Sequence, residues 1–108
     1  MDKLVDFKQA IADKRKLRIT FASRDGQRFV AHICAPLDFG PNPNAKDKTP
    51  RFHVWDYESD TPEPLLNLYP NYVQKVEVLT ETFEPQEVTA GSTRVNKWYY
   101  ERDWGIYS

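Results

Sequence analysis

The stretch Arg51-Phe52-His53-Val54-Trp55-Asp56-Tyr57 is typical of a β-strand at the centre of a small sheet. Side chains alternate along a strand, so Phe52 and Val54 are predicted to face the core together. The opposite face would carry Arg51, His53, Trp55 and Tyr57. A cation, an imidazole and two amphipathic rings suit an anionic or planar ligand better than open water. We therefore expect a binding site on this second face.

The size and composition of the chain predict one globular domain. Its 108 residues match the commonest domain size, and 40% of them are apolar. Cys34 is the single cysteine, which excludes an internal disulfide and a cysteine-based zinc cluster and favours a reducing compartment. No apolar run is long enough for a membrane span, and the charged N-terminus is not typical of a signal peptide. We expect a cytoplasmic protein with no membrane partner.

The formal net charge of −1 hides an uneven distribution of charge along the chain. Residues 1–35 contain eight Lys or Arg against four Asp or Glu, whereas residues 36–108 contain seven against twelve. The basic side chains are densest between residues 14 and 28. This segregation favours a local site for a polyanion, and a pair of solvated charged strands is the alternative interpretation.

The first third of the chain predicts a helix followed by a hairpin. Residues 2–15 place apolar side chains at helical spacing, and residues 16–23 then alternate as a half-buried strand. The pair Asp25-Gly26 favours a tight turn into a returning strand over residues 27–35. On that strand the side chains expected to point inward are Phe29, Ala31 and Ile33.

The remaining chain predicts short strands between loops. The four prolines of residues 36–50 indicate a long surface loop, and strands are expected at 51–57, 65–68 and 73–83. The apolar face shifts along the last of these, which predicts a bulge or bend of the kind found in barrels. The residues after 85 read as a linker and an aromatic tail. A helix or a strand fits the tail, and we prefer a helix.

Several of these segments, taken in order, resemble the WYL domain, a small Sm-like or SH3-like β-barrel preceded by a helix. The segments that carry the resemblance are Ile11-Ala12-Asp13-Lys14-Arg15-Lys16-Leu17-Arg18-Ile19-Thr20-Phe21, Asp25-Gly26, Ala35-Pro36-Leu37, Phe52-His53-Val54-Trp55-Asp56, Leu66-Asn67-Leu68, Val76-Glu77-Val78-Leu79 and Phe83. The fold expected is mainly β, with an N-terminal helix, a barrel of about five strands and an aromatic extension. The division expected is residues 1–85 for helix and barrel and 86–108 for linker and tail.

The resemblance implies a regulatory module, because WYL domains usually accompany a helix-turn-helix segment in bacterial transcription factors and are thought to bind nucleic acid or nucleotide-like ligands. No helix-turn-helix segment is recognised in this sequence, so the resemblance implies a free-standing or divergent member. The Trp-Tyr pair of the family falls near Pro50 and Arg51, and Asn67 stands where members carry an arginine.

These observations predict a non-enzymatic module that binds single-stranded nucleic acid or a nucleotide-like anion on a basic and aromatic sheet face. Arginine binds phosphate with two donors, and aromatic rings offer stacking platforms for bases. The candidate binding residues are Arg18, Arg28, His32, Arg51, His53, Trp55 and Tyr57. The alternative is that Trp55 and Tyr57 form a second small core beneath the tail while the arginines pair with local carboxylates.

Catalysis has less support in the sequence. A site shared by His32, His53 and Asp56 is the one candidate, but a zinc centre needs three or four ligands and no nucleophile with its base is identifiable. We expect no catalytic residues, no metal and no cofactor. The alternative function is a protein-interaction module, with a homodimer formed through Trp98, Tyr100 and Trp104.

Overall fold

The computed structural model describes residues 3–23, 25–42, 45–59, 61–88 and 98–105. The chain is mainly β with an N-terminal helix, as predicted. The helices are α1 (Lys3–Asp13) and the short α2 (Pro85–Val88), and a 3₁₀ turn covers Pro70–Tyr72. The strands are β1 (Arg15–Ala22), β2 (Phe29–Gly40), β3 (Arg51–Asp56), β4 (Leu65–Leu68) and β5 (Val73–Thr82). No helix within the described ranges is long and apolar enough to cross a bilayer.

The five strands form one antiparallel sheet in the order β4-β3-β2-β1-β5. The two outermost strands, β4 and β5, do not pair with each other in the described part of the chain, so the sheet stays open where a closed barrel was expected. The predicted irregularity is present, because the pairing of β1 with β5 shifts register after Arg15 and again after Thr20. The prediction of a small, mainly β fold with five strands is therefore confirmed, without closure into a barrel.

Helix α1 forms because its apolar side chains repeat at helical spacing and bury one face against the sheet. Phe7, Ala10 and Ile11 are completely buried, and the ring of Phe7 meets that of Phe52 edge to face at 4.8 Å. The helix ends at Asp13, and the next residue, Lys14, has a φ of 56°, a left-handed conformation that turns the chain directly into β1. The Lys14 carbonyl then accepts a hydrogen bond from the Phe83 amide at 2.9 Å.

The inner face of the sheet is the face that meets α1. Phe52 and Val54 lie there, 2% and 0% exposed, which confirms the alternation predicted for β3. Strand β1 contributes Leu17, Ile19 and Phe21 to the same core. The opposite face is called the outer face below. Burial of these apolar side chains is the main source of stability for a domain of this size.

The inward set predicted for β2 is wrong. Phe29 is 54% exposed and Ala31 is exposed, whereas Cys34 is completely buried. Residues directly opposite each other in an antiparallel pair share a face, and Leu17, Ile19 and Phe21 face Cys34, His32 and Val30. The length of the connection between β1 and β2 explains why the other set is buried. Residues 23–28 join the two strands so that Ala22 lies opposite Phe29, and this pairing fixes the register of β2. The Asp25-Gly26 turn itself is present, with Gly26 at a φ of 71°.

Strand β2 is also longer than predicted, because its residues up to Gly40 pair with β3 instead of joining the loop. Pro36 pairs with Val54, and the register shifts between Pro36 and Asp38. A bulge is one of the few places where a sheet tolerates proline. Beyond the bulge, Asp38 and Gly40 lie opposite His53 and Arg51.

The described part of the tail, residues 98–105, contains neither α-helix nor β-strand. Its backbone amides at Tyr99 and Tyr100 donate to the Asp38 carboxylate, so they are not available to helix carbonyls. The preferred helix is therefore wrong for these residues, and positions 94–97 and 106–108 of that prediction lie outside the described residues. Trp104 is 3% exposed and packs on the ring of Phe83 at 5.6 Å.

Candidate functional site

The most promising site is the part of the outer face formed by β3 and β4. We call it the β3–β4 face and define it by Arg51, His53 and Trp55 of β3, Leu65 and Asn67 of β4, and Tyr69 just after β4. His53 pairs with Asn67 and Trp55 with Leu65, which places these side chains next to each other across the two strands. Three of the predicted binding residues therefore lie together.

Arg51 is the central side chain of the β3–β4 face and is only 8% exposed. Its Nη1 donates to Asn67 Oδ1 at 2.7 Å and its Nη2 to the Tyr69 hydroxyl at 2.8 Å. The guanidinium carbon lies 4.4 Å from the centre of the Tyr69 ring. The Nε donor is buried and finds no hydrogen-bond partner among the described residues. Buried donors are almost always paired, so this one marks a place for a water molecule or a ligand atom.

A carboxylate balances part of the charge of Arg51. The Tyr69 hydroxyl donates to Asp47 Oδ2 at 2.7 Å, and the same oxygen lies 3.9 Å from Arg51 Nη2. Hydrogen bonds from Thr49 and Tyr69 lower the pKa of Asp47 to about 2, so it is ionised at neutral pH. Donation to Asp47 in turn raises the pKa of Tyr69. The site thus offers rings and hydrogen-bonding groups more than concentrated positive charge.

His53 and Trp55 complete the row along β3. His53 Nε2 lies 2.8 Å from the Gly40 carbonyl oxygen, and since a carbonyl only accepts, Nε2 carries the proton. Trp55 is half-buried and packs against the core, beside Leu65, which is 51% exposed. An aromatic ring with one face supported by the core is a suitable platform for a flat ligand.

Arg18 and Tyr57 lie on the outer face but on its other half, over β1 and β5. Arg18 is exposed and lies 3.3 Å from Glu77, and the neighbouring Lys16 lies 2.8 Å from Glu81. Lys16 Nζ lies over the ring of Tyr57, 4.5 Å from its centre. The Tyr57 hydroxyl donates to Glu87 at 3.2 Å, and burial raises its pKa. For these cations the alternative interpretation fits, in which basic side chains pair with local carboxylates, because Lys16 and Arg18 lie beside Glu81 and Glu77.

His32 and Arg28 do not join the predicted face. The register of β2 turns His32 inward, where its Nδ1 lies 2.7 Å from Asp56 Oδ2, a carboxylate only 3% exposed. Arg28 is exposed and precedes β2 instead of lying within a strand. The prediction that all seven residues share one sheet face is therefore wrong for these two. The cause is again the length of the connection between β1 and β2, which sets the register of β2 and so decides which of its side chains face the core.

The residues considered for catalysis are also separated. His32 bonds Asp56 on the inner face, whereas His53 lies on the outer face of the same sheet and bonds Gly40. Cys34 Sγ lies 3.9 Å from Asp56 Oδ1, but burial raises the pKa of the thiol and keeps it protonated. This arrangement lacks a thiolate nucleophile at neutral pH.

Sequence reasoning missed two residues of the site, Asn67 and Tyr69. Both contact Arg51 directly. The signal that points to them is the alternation Leu65, Asn67, Tyr69, which places three side chains on one face of a strand and beyond its end. It becomes informative only once β4 is known to lie beside β3.

Comparison with known proteins identifies the fold. No family model matches the chain, and no curated protein matches it. A solved structure of proteasome accessory factor B/C (PafBC) of Arthrobacter aurescens is similar, with 16% sequence identity and a TM-score of 0.58. The similarity covers 94% of this chain but 15% of the PafBC chain, so this chain corresponds to a small part of that protein. At this identity the likeness shows a shared fold.

Proposed function

We propose that this protein is a non-catalytic regulatory module that binds single-stranded nucleic acid or a nucleotide-like ligand on the β3–β4 face. The buried, unpartnered Nε of Arg51 carries this proposal, since it lies in a cluster of rings and hydrogen-bonding groups that a ligand would complete. Two further observations support it: the resemblance of the sequence to WYL domains, and the fold shared with part of PafBC, a proteasome accessory factor.

The chemistry of the face favours a ligand with flat rings. The half-buried Trp55 provides a stacking surface, and Asn67 uses its carbonyl oxygen on Arg51, which leaves its NH₂ group as a donor at an exposed position. Because Asp47 offsets part of the charge of Arg51, we expect stacking and hydrogen bonds to contribute more than phosphate neutralisation. Duplex DNA hides its base faces, so unpaired bases are the better ligand.

The test is a titration with labelled single-stranded DNA, single-stranded RNA, a duplex and a mononucleotide, each at two salt concentrations. Stacking contributes about 1–3 kcal/mol per base, so Trp55→Ala should weaken single-strand binding about 5- to 150-fold without changing the salt dependence. Arg18→Ala is the matched control, since Arg18 lies on the same face but pairs with Glu77. It should change affinity little.

Absence of binding to every ligand at low salt would refute the proposal, and so would a Trp55→Ala protein that is folded and binds like the original. A loss of affinity in Arg18→Ala equal to that in Trp55→Ala would move the site to the β1–β5 half of the sheet.

A homodimer through Trp98, Tyr100 and Trp104 is the second candidate, and it has weaker support. Trp104 is 3% exposed, and the rings of Trp98 and Trp104 meet at 5.7 Å within one chain. Tyr100 is half-buried, with Lys8 Nζ 5.5 Å from the centre of its ring. These rings cover their own domain, so less of their surface is left for a partner.

A further inference from the structure

The described tail lies across the end of β2, and one carboxylate there, that of Asp38, accepts several of its hydrogen bonds. Asp38 accepts hydrogen bonds from the backbone amides of Tyr99 and Tyr100, both at 2.9 Å. Arg102 Nη2 lies 3.4 Å from the same carboxylate, and Arg102 also donates to the Leu37 carbonyl oxygen. We call this segment, residues 98–105, the tail clamp. Its attachment point is two residues from Gly40 on the same strand face.

The strand register places the tail clamp beside the β3–β4 face. Asp38 lies opposite His53 and Gly40 opposite Arg51, so all four positions share the outer face. The ring of Tyr99 lies directly on Gly40, because a Cβ atom at that position would overlap Tyr99 Cδ2. Arg51 and His53 therefore lie on β3 between two neighbouring strands. Strand β2, on which Tyr99 packs, is on one side, and β4, which leads to Tyr69, is on the other.

We propose that Tyr99 is a ligand-binding residue of the β3–β4 face and that it stacks on a nucleobase. This inference rests on the function proposed above and extends it to a ligand that carries a base. Tyr99 is 55% exposed, although its backbone is held in place, so its ring is presented to solvent at a defined position. Gly40 lies opposite Arg51 on the adjacent strand, about 5 Å away, so a base stacked on the Tyr99 ring would lie over the row of Arg51 and His53.

The tail clamp is built as a fixed wall of the site and not as a removable cover. The side chain of Arg102 is 0% exposed and lies between two rings, 3.8 Å from the centre of Trp98 and 4.6 Å from that of Trp104. Trp104 Nε1 donates to the Ile11 carbonyl oxygen at 3.0 Å. Releasing the segment would expose these groups together, so a ligand gains more by binding against Tyr99 than by displacing it.

The experiment compares adenosine monophosphate with ribose 5-phosphate, which has the same phosphate and sugar but no base. Tyr99→Ala should weaken binding of the nucleotide about tenfold and leave binding of ribose 5-phosphate unchanged, because only the base stacks. Tyr99→Phe retains the ring and should bind like the original protein. Phe29→Ala is the matched control, since Phe29 is 54% exposed at the other end of β2.

Gly40→Ala provides an independent variant that keeps the tyrosine. Its methyl group would displace the Tyr99 ring, so nucleotide affinity should fall by a similar factor, and the double variant should show no further loss. If the original protein binds no nucleotide, the proposed function fails and this inference falls with it. If Trp55→Ala weakens binding but Tyr99→Ala and Gly40→Ala do not, only this inference is overturned. Tighter binding by either tail variant would also overturn it, since the tail would then be a cover.

Discussion

Arg102 in the tail clamp and Arg51 in the β3–β4 face make similar contacts and yet differ in one respect. Each guanidinium lies against aromatic rings and near a carboxylate. All three nitrogens of Arg102 have acceptors, supplied by Tyr100, Leu37 and Asp38. Arg51 satisfies two nitrogens and leaves Nε without a partner among the described residues. A completed set of hydrogen bonds indicates a structural role, and an incomplete set leaves a place for a water molecule or a ligand atom.

The burial of the two arginines has different consequences for charge. Burial lowers the pKa of Arg102 to about 10, with Asp38 opposing the shift, so the guanidinium stays charged at neutral pH and faces the Asp38 carboxylate. The charge of Arg51 is partly balanced by Asp47, an exposed carboxylate whose pKa is lowered by hydrogen bonds from Thr49. We therefore expect mutations in the tail clamp to affect stability first and mutations in the β3–β4 face to affect binding first.

The largest loss of stability is expected for Trp104→Ala, which breaks the tail clamp where it enters the core. Removing a buried tryptophan leaves a cavity and costs about 3–5 kcal/mol. Trp104 is 3% exposed and bonds the end of α1 at Ile11, so the site cannot collapse without moving the helix. Urea denaturation measures the change, with the exposed Tyr99→Ala as control. A Trp104→Ala midpoint equal to that of the control would show that the tail is not part of the folded unit.

A smaller loss is expected for Asp38→Asn, which keeps the shape of the side chain but removes the charge facing Arg102. Arg102 would remain buried without its counter-charge, at a cost of about 2–3 kcal/mol. Glu77→Gln is the matched control, because it removes the carboxylate beside the exposed Arg18 and should cost less than about 0.5 kcal/mol. Both are measured by urea denaturation. Equal effects would mean that the Asp38 pair behaves like a surface pair, against the comparison above.

The smallest effect on stability is expected for Arg51→Lys, which sharpens the contrast between the two arginines. Lysine retains the charge but loses the flat fork that reaches Asn67 and Tyr69 together, so the loss should be about 1 kcal/mol. Arg102→Lys should lower the free energy of unfolding more, because the Arg102 side chain is fully buried and more of its hydrogen-bond acceptors would be left unpaired. Thermal unfolding of the two variants side by side gives the order. The reverse order would refute the assignment of Arg102 as structural and Arg51 as functional.

Local patterns in the sequence determined the elements and much of the core. The helical spacing of Phe7 and Ile11 predicted α1, and the two-residue period predicted which face of β3 is buried. The same period correctly grouped Arg51, His53 and Trp55 on the outer face. These features depend on neighbours within a few residues, so they can be inferred without knowing what each strand pairs with.

The tertiary structure decided the features that depend on distant pairing. The face on which His32 lies follows from the register of β2 against β1, and a change of one residue in the connection reverses it. Asn67 becomes part of the β3–β4 face because β4 pairs with β3. Tyr99 lies beside that face because Asp38 binds the tail, which is more than sixty residues away in the sequence. Contacts so far apart in the sequence leave no periodic signal, because each depends on strand register and on the partner that a buried polar group finds when the sheet forms.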